Sequence, residues 1–168
     1  MKWCASIAIS LMTLFPSTEP GLMAEDDIRS DELDAYWAEA SRAVKEGDFE
    51  GYKATCHEEG VLVSGSRGNS QPLSQALARW KKDFEVTNAG KIKANVEFRY
   101  SQRLRDSTTA HETGIFRYST VDSQRKGLDE YIHFEALLIK KDGQWTILME
   151  YQKSRAELAE WKSLRREP

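Results

Sequence analysis

Four side chains in this sequence are the candidates for acid–base chemistry. Glu150 stands in the middle of a strand-like run, KDGQWTILMEYQKS at residues 141–154, and Glu135 stands in the strand-like run before it. Two carboxylates close together in a dry site would raise the pKa of one of them, which is one way to make a general acid. His57 and His133 are the other candidates. The catalytic chemistry open to such groups is that of a cofactor-independent isomerase, lyase or hydrolase.

Motifs for metal-dependent or cofactor-dependent chemistry are missing from the sequence. It contains no GxSxG elbow, Walker loop or dinucleotide fingerprint. His57 lies beside Glu58 and Glu59 without a ligand spacing such as HxH or HExxH. His111 and His133 fall on adjacent predicted strands but several residues out of register. We therefore expect neither a bound metal nor a cofactor.

The direction in which Glu150 points depends on the turn before it. The dipeptide DG at 142–143 is typical of a two-residue hairpin turn, which would pair Lys141 with Gln144. If that register continues unbroken, Glu150 lies opposite Glu135. The inner face, under the helices, then holds Trp145, Ile147, Met149 and Tyr151 together with Ile132, Phe134, Ala136 and Leu138.

Because that inner face is apolar, the unbroken register predicts that Glu150 points away from the helices. It would be solvated there or lie at the rim of a dimer. A carboxylate pair facing a closed chamber, or an error in the register, are the alternatives. Leu137, Ile139 and Leu148 on the outer face suggest that part of it is covered by a second subunit, which predicts a homodimer.

Aromatic side chains dominate the predicted inner wall. Small-molecule pockets usually combine an apolar lining with a few polar groups. The ligand-binding candidates are Trp37, Trp80, Tyr100, Tyr118, Met149 and Tyr151. Tyr100 and Tyr151 are the expected polar tips, since buried tyrosine hydroxyls seek hydrogen-bond partners. The alternative is that these residues are simply core.

The elements that would position this wall follow from the spacing of apolar residues. Leu33, Tyr36, Trp37, Ala40 and Val44 recur at helical spacing. Gly47 ends that helix, Asp48 caps a shorter second helix, and Pro72 begins a third after a short strand at 61–63.

From Lys91 onward the apolar residues alternate with a period of two, which is typical of strands with one buried face. Strands are predicted at Ile92–Ser101, Thr109–Val121, Leu128–Lys140 and Gln144–Ser154, with a last helix over Ala156–Leu164. Helices first and an antiparallel meander afterwards predict an α+β domain whose helices lie on one side of a curved sheet.

These residues resemble the SnoaL-like branch of the nuclear transport factor 2-like superfamily. The resemblance covers residues 31–155 and rests on the order of elements, the Gly47-Asp48 step, HEEGVLVSGSRG at 57–68 and DGQWTILMEYQKS at 142–154. It implies a cone-shaped fold with a pocket between helices and sheet, often dimeric through the sheet's outer side. It implies no single activity, because the superfamily includes isomerases, cyclases, dehydratases, epoxide hydrolases and association domains.

The catalytic groups of the steroid-isomerase-like members are not found at the matching positions. Those members carry an aspartate at the end of the first strand and a tyrosine in the first helix. Here the corresponding places hold Ser64-Gly65 and Ala40, and Tyr36 lies one turn too early. The resemblance therefore gives no reason to assign that mechanism to this chain.

The N-terminal segment has the features of a secretory signal. Lys2 precedes an apolar run at 3–15, Pro16 breaks it, and Ala24 comes before an acidic stretch. The run is too short to span a bilayer, although an uncleaved anchor is the alternative. We therefore expect a signal peptide at 1–24, a linker at 25–30, a SnoaL-like domain at 31–155 and a C-terminal helix and tail at 156–168. The protein is then periplasmic or secreted, with no membrane contact after cleavage.

Charge and cysteine content narrow the class of partner. The net charge is −3, which gives no reason to expect nucleic acid as a partner. After cleavage only Cys56 remains, so no internal disulfide forms, and we expect this thiol to be a small buried hydrophobe. The favoured function is binding of a small apolar or aromatic molecule without evident catalysis. An enzyme using the acidic or histidine candidates and a dimeric association module remain as alternatives.

Overall fold

The structure is a computed structural model that describes the backbone of residues 20–164 and the side chains from residue 31 onward. Most of the predicted signal peptide, and the last part of the predicted tail, lie outside the described residues. None of the described helices combines the length and the apolar content needed to cross a bilayer.

Residues 20–164 contain four helices. They are α1 (Pro20–Glu46), α2 (Phe49–Ala54), α3 (Leu73–Asn88) and α4 (Leu158–Ser163). Because α1 begins at Pro20, residues 25–30, which the sequence placed in a linker, are helical. Gly47 ends α1 with φ +69°, and a Cβ there would collide with the backbone of Asn88. The Asp48 side chain accepts a hydrogen bond from the backbone N–H of Gly51 and so caps α2, as predicted.

Six strands form one curved, unclosed sheet. They are β1 (Cys56–Ser64), β2 (Asn69–Pro72), β3 (Ile92–Arg105), β4 (Thr109–Asp122), β5 (Gly127–Lys141) and β6 (Gln144–Arg155). Their order is β2-β1-β6-β5-β4-β3, and β1 runs parallel to β6 while the other neighbours are antiparallel. The α+β class is confirmed. The short edge strand β2 lies between the predicted strand at 61–63 and the third helix, where no strand was predicted.

The main core lies between α1, α3 and the inner face of the sheet. Phe134 lies at the centre of this core and is 1% exposed. The buried residues around it are Leu33, Tyr36, Trp37, Leu62, Leu73, Ala76, Ala110, Ala136, Leu138, Trp145 and Ile147. Helices on one face of the sheet thus bury the apolar stripe that the alternating strand pattern had indicated.

The last helix lies on the opposite, outer face of the sheet. Trp161 of α4 and Ala156 pack with Ile115 of β4 in a second small core. The Arg99 guanidinium stacks 4.2 Å from the Trp161 ring and donates hydrogen bonds to the backbone carbonyls of Trp161 and Leu164. Part of the outer face is therefore covered by the chain's own C-terminal segment.

Candidate functional site

The hairpin of β5 and β6 begins in the predicted register and then departs from it. Lys141 pairs with Gln144, and pairing continues regularly to Leu138 opposite Ile147. The next pair is Leu137 with Met149, so Leu148 is an extra residue in β6 and forms a bulge.

The bulge reverses the faces of the residues that follow it. Glu150 now lies opposite Ala136, a fully buried inner-face residue, rather than opposite Glu135. The prediction that Glu150 points away from the helices was therefore wrong. A shift by one residue moves the side chains that follow it to the other face, so Met149 and Tyr151, expected inside, lie on the outer face. A second irregularity, opposite His133 and Phe134, ends this shift after Gln152.

Glu150 faces a cavity of about 290 Å³ between the helices and the sheet. The cavity has a mainly aromatic lining with a few polar groups. It is lined by Tyr36, Trp37, Ala40, Val44, Tyr52, Thr55, Trp80, Asp83, Phe84, Thr87, Ala94, Val96, Phe98, Phe116, Tyr118, Glu130, Ile132, Phe134, Ile147, Glu150 and Gln152. This is the composition expected of a small-molecule site.

The Glu150 carboxyl has a weakly polar environment. Burial raises its pKa above the usual value of 4.5, and a hydrogen bond of 2.7 Å from the Gln152 amide to Oε1 opposes that rise. Glu150 is half-buried and lines the cavity. A carboxyl in such a place can hold its proton at a pH where an exposed one has lost it.

Two tyrosines and a cysteine lie in the same polar corner. The Tyr36 hydroxyl donates to the backbone carbonyl of Thr55 at 3.2 Å. Burial raises the pKa of Tyr36 and of Tyr52 well above 10, and the Glu150 charge adds to both rises. Burial, with Glu150, raises the pKa of the Cys56 thiol to about 12. All three groups are protonated at neutral pH, so Cys56 is a poor nucleophile.

The rim of the cavity carries acidic groups. Asp83 of α3 is exposed, and Glu130 of β5 lies near Tyr118. Burial, with the charges of Asp83 and Glu130, raises the pKa of the Tyr118 phenol. Glu130 also accepts a hydrogen bond of 2.6 Å from Arg155, whose side chain is 81% exposed.

Three of the six ligand-binding candidates line the cavity, namely Trp37, Trp80 and Tyr118. Tyr100 does not, because it packs against Phe134 and lies under the guanidinium of Arg103. Met149 and Tyr151 are excluded by the bulge.

Of the four catalytic candidates, only Glu150 lines the cavity. Glu135 lies on the outer face, where Lys153 pairs with it at 2.6 Å, and the pKa of Glu135 falls as a result. His133 lies 3.2 Å from Glu160 of α4. His57 accepts a hydrogen bond from the backbone N–H of Glu59.

Gln152, which donates a hydrogen bond to Glu150, was not predicted as a site residue. Gln152 and Glu150 both belong to β6, and the unbroken register predicted that Glu150 lies on the outer face. The alternation of β6 gave no signal for the bulge, so Gln152 could be assigned to the site only from the structure. No group of acidic, histidine or cysteine side chains in the described residues could hold a metal ion.

Replacing Glu150 and Glu135 separately by glutamine should change the pH dependence of stability in opposite directions. The pKa of Glu150 is raised in the folded state, so the wild-type protein loses stability relative to Glu150→Gln as pH rises from about 4.5. The pKa of Glu135 is lowered, so the wild-type protein loses stability relative to Glu135→Gln as pH falls through the same region. Urea denaturation between pH 3 and 8 measures both differences. A common sign would contradict the assignment of the two residues to opposite environments.

By sequence, no protein-family model and no curated protein matches the chain. Solved structures do match its fold. An NTF-2 like protein of unknown function from Shewanella oneidensis is 18% identical with a TM-score of 0.56, covering 73% of this chain and 97% of that chain. ActVI-ORFA from Streptomyces coelicolor is 17% identical with a TM-score of 0.59, covering 73% and 94% respectively.

The third solved structure is described as an association domain. A protein from Exiguobacterium sibiricum, described as a ca/calmodulin-dependent kinase II association domain, is 13% identical with a TM-score of 0.59. The match covers 86% of this chain and 98% of that chain. At these identities the likeness shows the fold alone, and the fold hosts more than one function. The chain has the nuclear transport factor 2-like fold, and the SnoaL-like resemblance of its sequence fits these neighbours.

Proposed function

We propose that this chain binds a small, largely apolar or aromatic molecule in the cavity and that Glu150 exchanges a proton or a hydrogen bond with its polar group. The observation that carries the proposal is the position of Glu150. The bulge at Leu148 directs its side chain into an aromatic cavity. The proteins with the same fold support a ligand-binding or enzyme-like domain in general.

The cavity dimensions favour a small ligand. Its volume of about 290 Å³ lies at the lower end of the roughly 300–1,000 Å³ typical of small-molecule pockets. Trp37, Phe98 and Phe134 form one continuous ring cluster along its wall, with centroid distances of 4.3 Å and 5.7 Å between successive rings. Such a wall favours a flat or alicyclic apolar body.

Catalysis by Glu150 is the second candidate function. A general acid or base needs a pKa near the working pH and hydrogen-bond reach of its substrate. Burial supplies the direction of the pKa shift, and Tyr36 and Tyr52 supply neutral hydroxyl groups nearby. These groups suit a proton-transfer reaction of isomerase or lyase type. In that case Glu150→Gln would still bind its substrate but would lose turnover.

The binding proposal is tested by filling the cavity. Ala94 of β3 lines it and is 6% exposed, whereas its neighbour Lys93 points to the other face. Ala94→Phe should abolish the thermal stabilisation that small aromatic and alicyclic compounds give to the wild-type protein, because the new ring occupies their space. Lys93→Phe adds the same side chain outside the cavity and should retain the stabilisation.

Two outcomes would contradict the proposal. One is stabilisation of Ala94→Phe equal to that of the wild-type protein, and the other is no stabilisation of the wild-type protein by any ligand class. If Ala94→Phe fails to fold, Ala40→Leu fills the cavity from α1 by a smaller amount. Isothermal titration calorimetry then compares the dissociation constants of the folded variants.

Assembly and location are further parts of the proposal. We propose a homodimer through the part of the outer face that α4 leaves open, where Leu137 and Met149 are half-buried. An association domain among the fold neighbours supports assembly in general. Sedimentation velocity would measure the assembly state, and a monomer at micromolar concentration would oppose the proposed homodimer.

We also propose export to the periplasm or medium, on the basis of the N-terminal sequence. N-terminal sequencing of the exported protein tests this.

A further inference from the structure

All the charged side chains that line the cavity are acidic. They are Asp83, Glu130 and Glu150, and no lysine, arginine or histidine lines it in the part of the chain whose side chains the structure describes. Arg155 pairs with Glu130, but the arginine side chain is mostly exposed. It therefore neutralises part of the negative charge at the rim and not the charge of Glu150. The interior of the cavity therefore has a negative potential whenever Glu150 is ionised.

Glu150 has no cationic partner among the described side chains. Its Oε1 accepts the Gln152 amide, and the groups that influence it or are influenced by it are Tyr36, Tyr52 and Cys56. An ionised carboxylate buried without a positive partner is costly, because it gives up water and gains little in return. By contrast, Glu135 on the outer face has Lys153 as its partner. Glu150 thus lacks a positive partner of the kind that Lys153 provides for Glu135.

The remaining wall suits a cation as well as an apolar body. Aromatic faces attract a cation within about 6 Å through the ring quadrupole, and this attraction is strongest where the site is desolvated. Tyr52, Trp80 and Phe84 form a connected group of rings, with centroids 5.2–6.2 Å apart, and line the same cavity as Glu150 and the acidic rim. Carboxyl and aromatic groups together are what a protonated amine on an apolar body would need.

We propose that the ligand of this cavity is a small amine, whose protonated nitrogen pairs with the Glu150 carboxylate while its apolar body lies against the aromatic wall. The inference rests on the proposed binding function and specifies its ligand class. If Glu150 is protonated before binding, its proton passes to the amine nitrogen, and the pair is then ammonium and carboxylate. Asp83 and Glu130 raise the local concentration of cations at the rim. An anionic ligand is disfavoured, because it would bring a like charge next to Glu150.

Three probes with the same body separate charge from shape. They are benzylamine, benzyl alcohol and benzoate, measured by isothermal titration calorimetry at pH 7 against the wild-type protein. We expect benzylamine to bind at least about tenfold more tightly than benzyl alcohol, with benzoate weakest. Naphthylmethylamine and naphthylmethanol repeat the comparison for a larger body.

Glu150→Gln and Glu135→Gln form the matched pair of variants. Glu150→Gln keeps the shape of the side chain but removes its charge, so the amine and the alcohol should bind within about threefold of each other. Glu135→Gln makes the same change on the outer face and should leave the amine preference intact. Circular dichroism confirms that both variants are folded.

The outcomes distinguish the two proposals. If the alcohols bind as tightly as the amines, or if Glu150→Gln keeps the amine preference, the amine inference is overturned while small-molecule binding stands. If none of the five probes binds to the wild-type protein, the amine inference fails. The cavity-filling experiment then decides separately whether any other ligand class occupies the site.

Discussion

Replacing Glu112 by glutamine should destabilise the domain by about 3–5 kcal/mol, the usual cost of removing one partner from a buried ion pair. Glu112 is 0% exposed, and its carboxylate accepts hydrogen bonds from the Trp37 indole and from Arg103 Nε, the latter at 2.5 Å. Arg103 is nearly buried and also contacts Asp34 at 2.5 Å. The variant would leave the nearly buried guanidinium without its fully buried carboxylate partner.

A double-mutant cycle separates this mechanism from a simple loss of packing. Arg103→Met removes the buried cation, so Glu112→Gln should cost less in that background than in the wild-type protein. Urea denaturation measures the free energy of unfolding of the four proteins. Additive effects, or a loss below about 1 kcal/mol for Glu112→Gln alone, would show that the pair contributes little.

The Glu112 network also has a consequence for the cavity. The Trp37 ring lines the cavity and its indole N–H is held by Glu112. Glu112 is therefore a positioning residue for the aromatic wall, although it does not line the cavity itself.

Truncating Phe134 to alanine should cost about 3–5 kcal/mol, because the substitution loses the transfer free energy of a ring and leaves a space behind it. Phe134 is 1% exposed and its ring lies within 5.7–6.3 Å of the rings of Phe98, Tyr100, Phe116 and Trp37. The new space would be continuous with the cavity, since Phe134 lines it. The variant should thus lose stability and accept larger ligands.

Leu158→Ala is the matched truncation at the surface. Leu158 of α4 is 46% exposed, so its loss should change the free energy of unfolding by no more than about 0.5 kcal/mol. Thermal and urea unfolding compare the two variants. A cost below about 1.5 kcal/mol for Phe134→Ala would mean that the surrounding rings collapse into the space.

Much of the fold could be predicted because it depends on local patterns. Apolar spacing in α1 and α3, the glycine at 47 and the alternation of β3 to β6 all reflect which faces must be buried. The structure confirms the end of α1 and the bounds of α3 and of β3 to β6 to within a few residues, whereas α1 begins at Pro20, ahead of the predicted linker at 25–30. The Asp142-Gly143 turn was also correct, with both residues at positive φ as such turns require. The edge strand β2 was missed, because NSQP carries turn residues rather than strand formers.

Buried polar groups were much harder to predict. Glu112 occupies an inner-face position between Ala110 and Gly114, and no local feature of the sequence shows that it is compensated. Its partner Arg103 reaches the same face because β3 has its own bulge between Tyr100 and Gln102. A burial cost of this kind is offset only by residues distant in the chain.

The sequence by itself determined the class of fold, the helical and strand periods, the turn that starts the last hairpin and the aromatic character of the inner wall. Only the tertiary structure decided which carboxylate faces that wall. Side chains alternate with a period of two, so a single extra residue at Leu148 moves the side chains of residues 149–152 to the faces opposite to those predicted. Whether a strand accommodates such a bulge depends on how the neighbouring strands and the packed helices fit together. The alternation of apolar residues in one strand does not predict that packing energy.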